Sequence, residues 1–276
     1  ESVAALTLDD LKYYYAKAFS PQNANITIAG NIKEDNAIDV FKVLESKWKE
    51  TDISVPLPNK FNSLSSSKVY FVDFPGAKQS EIRIGSTGLA FTDPDYFKAT
   101  VMNYKLGGSF NGIVNLILRE EKGYTYGART TFTGSDFPGY FVASAGVQSD
   151  ATLESAQIFR DEMIKYRNGI STEDLQFTKD ALIKSNALRY ETIGALRGML
   201  SQIAWYNLPF DYVKDQERQI SDMTLEQHKT LAQKYIHPDK MIYLIAGDKA
   251  TQMEKLKELG FGDPILLDKD GNIQSN

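Results

Sequence analysis

The chain opens and closes on the same pattern. Shifting the sequence by 217 positions, Thr7 onto Thr224, also lays Leu8, Lys12, Lys17, Pro21, Ile28, Ala29 and Gly30 on Leu225, Lys229, Lys234, Pro238, Ile245, Ala246 and Gly247, without a gap. Each copy reads as a helix, a proline, a short strand and a closing glycine. Two unrelated helix-strand units would share the proline and glycine as punctuation. The shared Thr-Leu start, the two lysines and the Ile-Ala pair point instead to duplication. If the tail copy closes a domain, the head copy closes an equivalent one whose earlier part lies elsewhere. The expected organisation is therefore a terminal helix-strand-helix piece of a preceding homologous domain (1–50), a linker (51–67) and a complete domain (68–276). The linker is read from TDISVPLPNKFNSLSSS, whose two prolines and five serines disfavour regular structure. Glu1 in place of Met fits a processed or excised piece, with an address or a further domain upstream.

Periodicity supplies the elements. Thr7-Leu8-Asp9-Asp10 caps a helix through about Phe19, Asn25–Ala29 alternates as a strand, and Asp35–Trp48 is helical. Strands are expected at 68–73 and 80–86, then a helix from Asp93-Pro94 to Leu106, stopped by Gly107-Gly108. Phe110, Ile113, Val114, Ile117 and Leu118 form one apolar stripe of a second helix ending near Gly123. A Thr/Phe/Tyr-rich hairpin follows (125–134 and 139–147), then helices near 150–168, 171–189, 191–207 and 211–220, before the tail helix and the strand 241–246.

Composition removes several functions. With 31 Lys+Arg against 36 Asp+Glu, the net charge of −5 leaves no basic stripe for nucleic acid. No stretch reaches the roughly 18 apolar residues of a membrane span. The absence of cysteine excludes disulfides and thiolate metal sites, and fits cytoplasm and periplasm equally. The two histidines, His228 and His237, are nine apart and cannot share a helical face as metal-binding i, i+4 pairs do, and no His-Glu-x-x-His, His-x-x-Glu-His, P-loop or Gly-x-Ser-x-Gly occurs. Among these residues the metal-ligand set is none.

The informative stretch is Leu118-Arg119-Glu120-Glu121-Lys122-Gly123-Tyr124-Thr125-Tyr126-Gly127-Ala128. Arg119 ends a helix, Gly123 turns the chain and Tyr126 opens a strand, so a guanidinium fork and a phenol donor could converge on one edge. On spacing alone the plainer alternative has the stronger claim: a solvated helix end followed by tyrosines that pack a sheet. Gly107-Gly108 is equally a helix stop.

The order of elements, with DPDYFKATVMNYKLGGSFNGIVNLILREEKGYTYGA at its centre, resembles the insulinase-like zinc metallopeptidases, a family that includes pitrilysin and the mitochondrial processing peptidase. The similarity covers nearly the whole chain, and LGG…LREEKGYTYG is its most specific part. The resemblance implies an α+β metallopeptidase-half fold, a mostly antiparallel sheet packed by helices. It implies paired halves closing a chamber over an unfolded peptide that adds as a strand to a sheet edge. One half carries His-x-x-Glu-His and zinc, and the other an Arg/Tyr pair seven apart. Arg119 and Tyr126 match that pair: Arg119 would hold substrate carbonyls and Tyr126 would stabilise the oxyanion, while Gly107 and Gly108 match a glycine loop that contacts substrate. The zinc motif is missing here. The resemblance thus implies a C-terminal half whose cofactor, zinc, sits on a homologous partner half upstream in the same chain or on a separate subunit, and which alone is inactive. Two alternatives stand beside it: a non-catalytic paralogue serving as a structural subunit, and a free-standing peptide-binding module.

The histidine spacing generates a direct test. After dialysis, elemental analysis of this chain should find far less than one equivalent of zinc. A full equivalent that disappears on His228→Ala or His237→Ala would refute the reading.

Overall fold

The computed structural model describes residues 3–53 and 64–274. In chain order the elements are α1 (Leu8–Ala18), α2 (Glu34–Lys47), β1 (Lys68–Asp73), β2 (Gln79–Thr87), α3 (Tyr96–Asn103), α4 (Ile113–Asn115), β3 (Thr125–Thr133), β4 (Tyr140–Gln148), α5 (Thr152–Tyr166), α6 (Thr172–Arg189), α7 (Ile193–Tyr206), α8 (Tyr212–Asp222), α9 (Leu225–Tyr235), β5 (Ile242–Gly247), α10 (Lys249–Gln252) and β6 (Ile265–Leu267). The chain divides into two compact units: Glu1–Lys60 with Ser185–Tyr212, and Phe61–Lys184 with Val213–Asn276. The division falls inside α6. Most of the expected linker, 54–63, lies outside the described residues.

The larger unit is built on a six-stranded sheet in the order β3-β4-β2-β5-β1-β6. It is mixed. Antiparallel pairs join β2 to β4, β2 to β5 and β3 to β4, and parallel pairs join β1 to β5 and β1 to β6. Alternation along each strand sends Val69, Phe71, Ile82, Ile84, Phe141, Ala143, Tyr243 and Ile245 to one fully covered face. There they join Met102 of α3, Phe159 and Met163 of α5, and Ala232 of α9 in one core. Burying a side chain of this size is worth about 1.5–3 kcal/mol. The opposite face is less covered, and Gly85, Val142, Ile242 and Leu244 floor an open cavity of about 830 Å³.

Buried polar groups fasten the strand ends. Ser67 Oγ donates to Pro238 O and accepts from Met241 N, both at 2.9 Å, which ties the start of β1 to the start of β5. The tail glycine, Gly247, is required by close approach: a Cβ there would lie 2.4 Å from Ser80 Oγ of β2.

The smaller unit holds α1, α2 and α7. Thr7 and Asp10 cap α1 reciprocally, as the sequence implies. Asn25–Ala29, expected as a strand, belongs to no strand or sheet among the described residues. The reason is physical: a strand is defined by ladder hydrogen bonds to a neighbour, and none of the described residues supplies one here. Thr27 Oγ1 instead lies 2.7 Å from Ser201 Oγ of α7.

His228, on α9, is enclosed in the core. Its Nε2 lies 3.0 Å from Tyr166 Oη and 3.2 Å from Met102 O, and the Tyr166 hydroxyl donates to Met102 O at 2.6 Å. With both acceptors on the Nε2 side, the proton belongs on Nε2, and buried Nδ1 has no partner. Burial pushes the imidazole pKa down to about 4 from an ordinary 6.5. The unfolded chain therefore takes up a proton near pH 6.5 that the folded chain refuses until about pH 4. The resulting stability is complete above pH 6.5 and is lost as pH falls towards 4, by roughly 3 kcal/mol. The unfolding midpoint of wild type minus that of His228→Gln should thus decline across this window. Parallel pH profiles would contradict the assignment.

Candidate functional site

The expected helix from Phe110 begins late and ends wide. Gly112 N bonds back to Ser109 O, so regular turns start only at Ile113, and Leu116–Glu121 continues as π-helix. Phe110 consequently leaves the apolar stripe and stands 63% exposed, whereas Val114 and Leu118 are fully buried. A second π-segment, Tyr104–Gly108, ends the preceding helix. Such widened turns are rare in helices and recur at functional sites.

The chain then reverses at Gly123, whose φ of +68° favours glycine. Beyond it, Lys122 and Tyr124 hydrogen-bond Glu154 of α5 at 2.7 and 2.6 Å, anchoring the turn and holding that carboxyl below its ordinary range. A bulge follows: three residues of β3 span Thr125 to its partner position while β4 advances by two, since Thr125 pairs with Val147 and Ala128 with Ala145. Thr125 Oγ1 pins it, donating to Gly146 O at 2.7 Å and accepting from Gly127 N at 3.0 Å. Bulges re-aim side chains. This one turns Tyr126 outward until it is 91% exposed, with no hydrogen-bond partner among the described residues.

β3 lies at the edge of the sheet, yet its outward backbone groups are not free. Asn115 Oδ1 accepts from Ala128 N at 2.9 Å, and its Nδ2 donates to Phe110 O at 2.7 Å. Asn103 Nδ2 donates to Thr130 O at 2.9 Å, while its Oδ1 accepts from Thr130 Oγ1 at 2.6 Å. Leaving one of these buried groups unpaired would cost about 1–3 kcal/mol. Neither asparagine was singled out by sequence reasoning. The signal was there, since a lone amide inside VMNYKL or IVNLIL must find partners when the helix is buried.

Between the glycine loop and the β3/β4 strands lies a cleft of about 520 Å³, lined by Gly107, Gly108, Phe110, Tyr126, Gly146 and Glu81 among others. Three of the four expected site residues, Gly107, Gly108 and Tyr126, meet in it. Arg119 is not part of the lining. Its guanidinium stacks on the Phe110 ring, 4.5 Å from the centroid, so it supports the cleft wall from behind. Its Nη1 sits 3.5 Å from Glu120 Oε1, too poorly aimed for a hydrogen bond, and has no other partner.

The two glycines differ. Gly107 is buried, and a Cβ there would lie 2.7 Å from both Thr130 N and Val114 Cγ2, so helix-to-strand packing demands glycine. Gly108 is exposed at the cleft. Glu81 is paired with Arg83 at 2.9 Å, and Arg129 adds a further charge to the lining.

Neither histidine suits a metal. His228 is enclosed as described, and His237 Nε2 lies 3.0 Å from Lys234 O. Among the described residues no three His, Cys, Asp or Glu side chains gather as a metal site, and no helix is long and apolar enough to cross a membrane. The histidines present do not fit zinc.

Comparison with known proteins places this geometry. Residues 5–182 match the sequence model of the peptidase M16 inactive domain. The chain belongs to the M16, or insulinase, family of peptidase-like domains. It is 26% identical over 212 residues to an uncharacterized zinc protease of Streptomyces coelicolor, covering 74% of this chain and 46% of that protein. It is 22% identical over 270 residues to the non-peptidase homolog YmxG of Helicobacter pylori, covering 90% and 57%. The crystal structure of a peptidase M16 inactive domain from Pseudomonas fluorescens superposes with a TM-score of 0.80 at 25% identity, covering 90% of this chain and 59% of that one. The chain spans about half the length of the curated relatives it matches.

The packing requirement at Gly107 is testable by stability, with Gly146 as the comparison. Gly107→Ala should lower the unfolding midpoint by the equivalent of about 1–3 kcal/mol, the usual cost of overpacking. Gly146→Ala should leave it unchanged, because its Cβ would meet only the flexible end of Glu81, 3.2 Å away. Calorimetric unfolding of the two variants decides. A wild-type midpoint for Gly107→Ala would show that position 107 is not set by packing.

Proposed function

We propose that this chain is the metal-free, peptide-binding half of an insulinase-family assembly and hydrolyses no peptide by itself. The observation that carries this is the cleft at Tyr126, where an almost wholly exposed phenol and an exposed Phe110 ring face a floor of glycines. Backbone without side chains lets an extended chain approach closely, and rigid aromatics are efficient anchors. The match to an inactive domain and the likeness to a non-peptidase homolog support the same reading.

Recognition here differs from strand addition along the body of β3. Ala128 N and Thr130 O are already taken by Asn115 and Asn103, so a peptide cannot build a ladder on them. An extended segment would instead lie in the cleft, with one side chain against Tyr126 and Phe110. Its partner half is a homologous, zinc-bearing domain.

The test is anisotropy of a labelled, unfolded peptide with excess chelator present. Affinity should be the same with and without chelator, and mass spectrometry should find the peptide intact. Tyr126→Ala should weaken binding about tenfold, or roughly 1.4 kcal/mol. Chelator-sensitive cleavage by this chain alone would overturn the proposal.

One observation favours a second reading, in which the same residue acts in catalysis by the complete assembly. The Tyr126 hydroxyl is free to donate to an oxygen that becomes anionic only in the transition state. Tyr126→Phe in that assembly would then lower kcat on the order of 100-fold with KM little changed. An unaltered kcat would leave the binding role alone.

A further inference from the structure

The face of the sheet opposite the core carries one row of polar side chains. Ser144 of β4 stands opposite Arg83 of β2 on one side and Arg129 of β3 on the other. The residues next to each along its own strand, Ile82 and Ile84, Ala143 and Ala145, Ala128 and Thr130, are buried. Alternation therefore sends Arg83, Ser144 and Arg129 together to the open face, on strands about 4.8 Å apart. Two guanidinium side chains flank one hydroxyl. Arg129 and Ser144 line the Tyr126 cleft, and Arg83 lines the adjoining larger cavity.

The bonding capacity of this row is mostly unused. The side chains of Arg129 and Ser144 have no hydrogen bond or ion pair among the described residues. Arg83 meets Glu81 at 2.9 Å, in a pair half-exposed on both sides. Such exposed pairs are weakly held, and a guanidinium has five N–H donors, so Arg83 can keep Glu81 and still serve a second acceptor. In the same cleft Ser109 Oγ is buried without a partner. The row is left with one uncompensated positive charge, although the chain as a whole carries −5.

A carboxylate matches these groups. Its two oxygens accept in parallel from one guanidinium fork, and the hydroxyl and the second guanidinium fill its remaining lone pairs. Its place along the cleft follows from the register. The bulge that bears Tyr126 lies opposite Gly146, and Ser144 is two residues further along β4, a span of about 7 Å. Two residues of an extended peptide cover the same span and return its side chains to the same side. We infer that Arg129, Ser144 and Arg83 form a carboxylate subsite of the Tyr126 cleft, so that the preferred occupant is an extended peptide with an acidic group two residues from the side chain held by Tyr126 and Phe110. The inference rests on peptide binding in that cleft and adds a charge requirement to it.

Three labelled peptides built around one phenylalanine test it, by anisotropy at physiological ionic strength with chelator present. The first has Glu two residues before and two after the phenylalanine and an amidated C-terminus. The second has Gln at both places and is amidated. The third has Gln before the phenylalanine and ends two residues after it in a free carboxylate. The 276-residue chain should bind the first about tenfold more tightly than the second. Its net negative charge favours the reverse order, so that result is a local effect. Preference for the third over the second alone would keep the subsite and assign it to chain ends. Arg129→Gln should erase the preference, and Arg129→Glu should turn it towards a peptide with Lys at the same two places. Equal affinity of the wild type for all three peptides, or a preference that survives Arg129→Gln, would overturn the inference; weaker binding on Tyr126→Ala would still leave the peptide reading intact. Failure of all three to bind would remove both.

Discussion

β5 is hydrogen-bonded on both sides, to β2 in one direction and to β1 in the other, and the larger unit hangs on that double pairing. It joins the antiparallel half of the sheet to the parallel half, and its two inward side chains, Tyr243 and Ile245, sit at the centre of the core. The Tyr243 hydroxyl reaches Pro238 O at 2.8 Å, so even its polar end is satisfied within the motif that delivers the strand. Conformational entropy opposes holding six residues extended, and only two-sided pairing with burial offsets it. The head copy of the motif shows the converse. Its proline, cap and apolar alternation are intact, but none of the described residues pairs with it as a strand, and Ile26 and Ile28 stay exposed.

The same bookkeeping of backbone groups shapes the cleft. An edge strand invites other chains to pair with it. Here Asn103 and Asn115, set on either side of the glycine loop, close the middle of that edge with side-chain amides. Gly107 allows the loop to come close enough for those bonds to form. What remains accessible is the bulged end of β3 with Tyr126, and the cleft follows from a packing requirement, a bulge and two amides acting together. The peptide recognition proposed for this cleft would draw on side chains and shape more than on a shared ladder.

Much of the fold was legible because hydrophobic period and punctuation agree. The capping threonines, the hairpin around Ser135–Pro138 and the tail helix and strand all occupy nearly the places the sequence marks. The Phe110 stripe was misread, since helical spacing cannot reveal that Gly112 delays the helix and that later turns widen to π geometry. Arg119 stacks on Phe110, which lines the cleft with Tyr126, a contact that seven-residue spacing by itself does not reveal. β6 also went unrecognised, as three residues carry too little alternation to register.

By itself the sequence determined local conformation: which residues cap, turn, alternate and repeat, and which chemistry two isolated histidines and no cysteine cannot support. Tertiary structure alone decided which copy of the repeat is paired in a sheet among the described residues, which glycine is held by packing, and what an arginine stacks against. The physical reason is that capping and periodicity are settled within a few residues along the chain. Pairing, burial and close approach depend on groups far away in sequence, and nothing local to Ile28 or Ile245 distinguishes them.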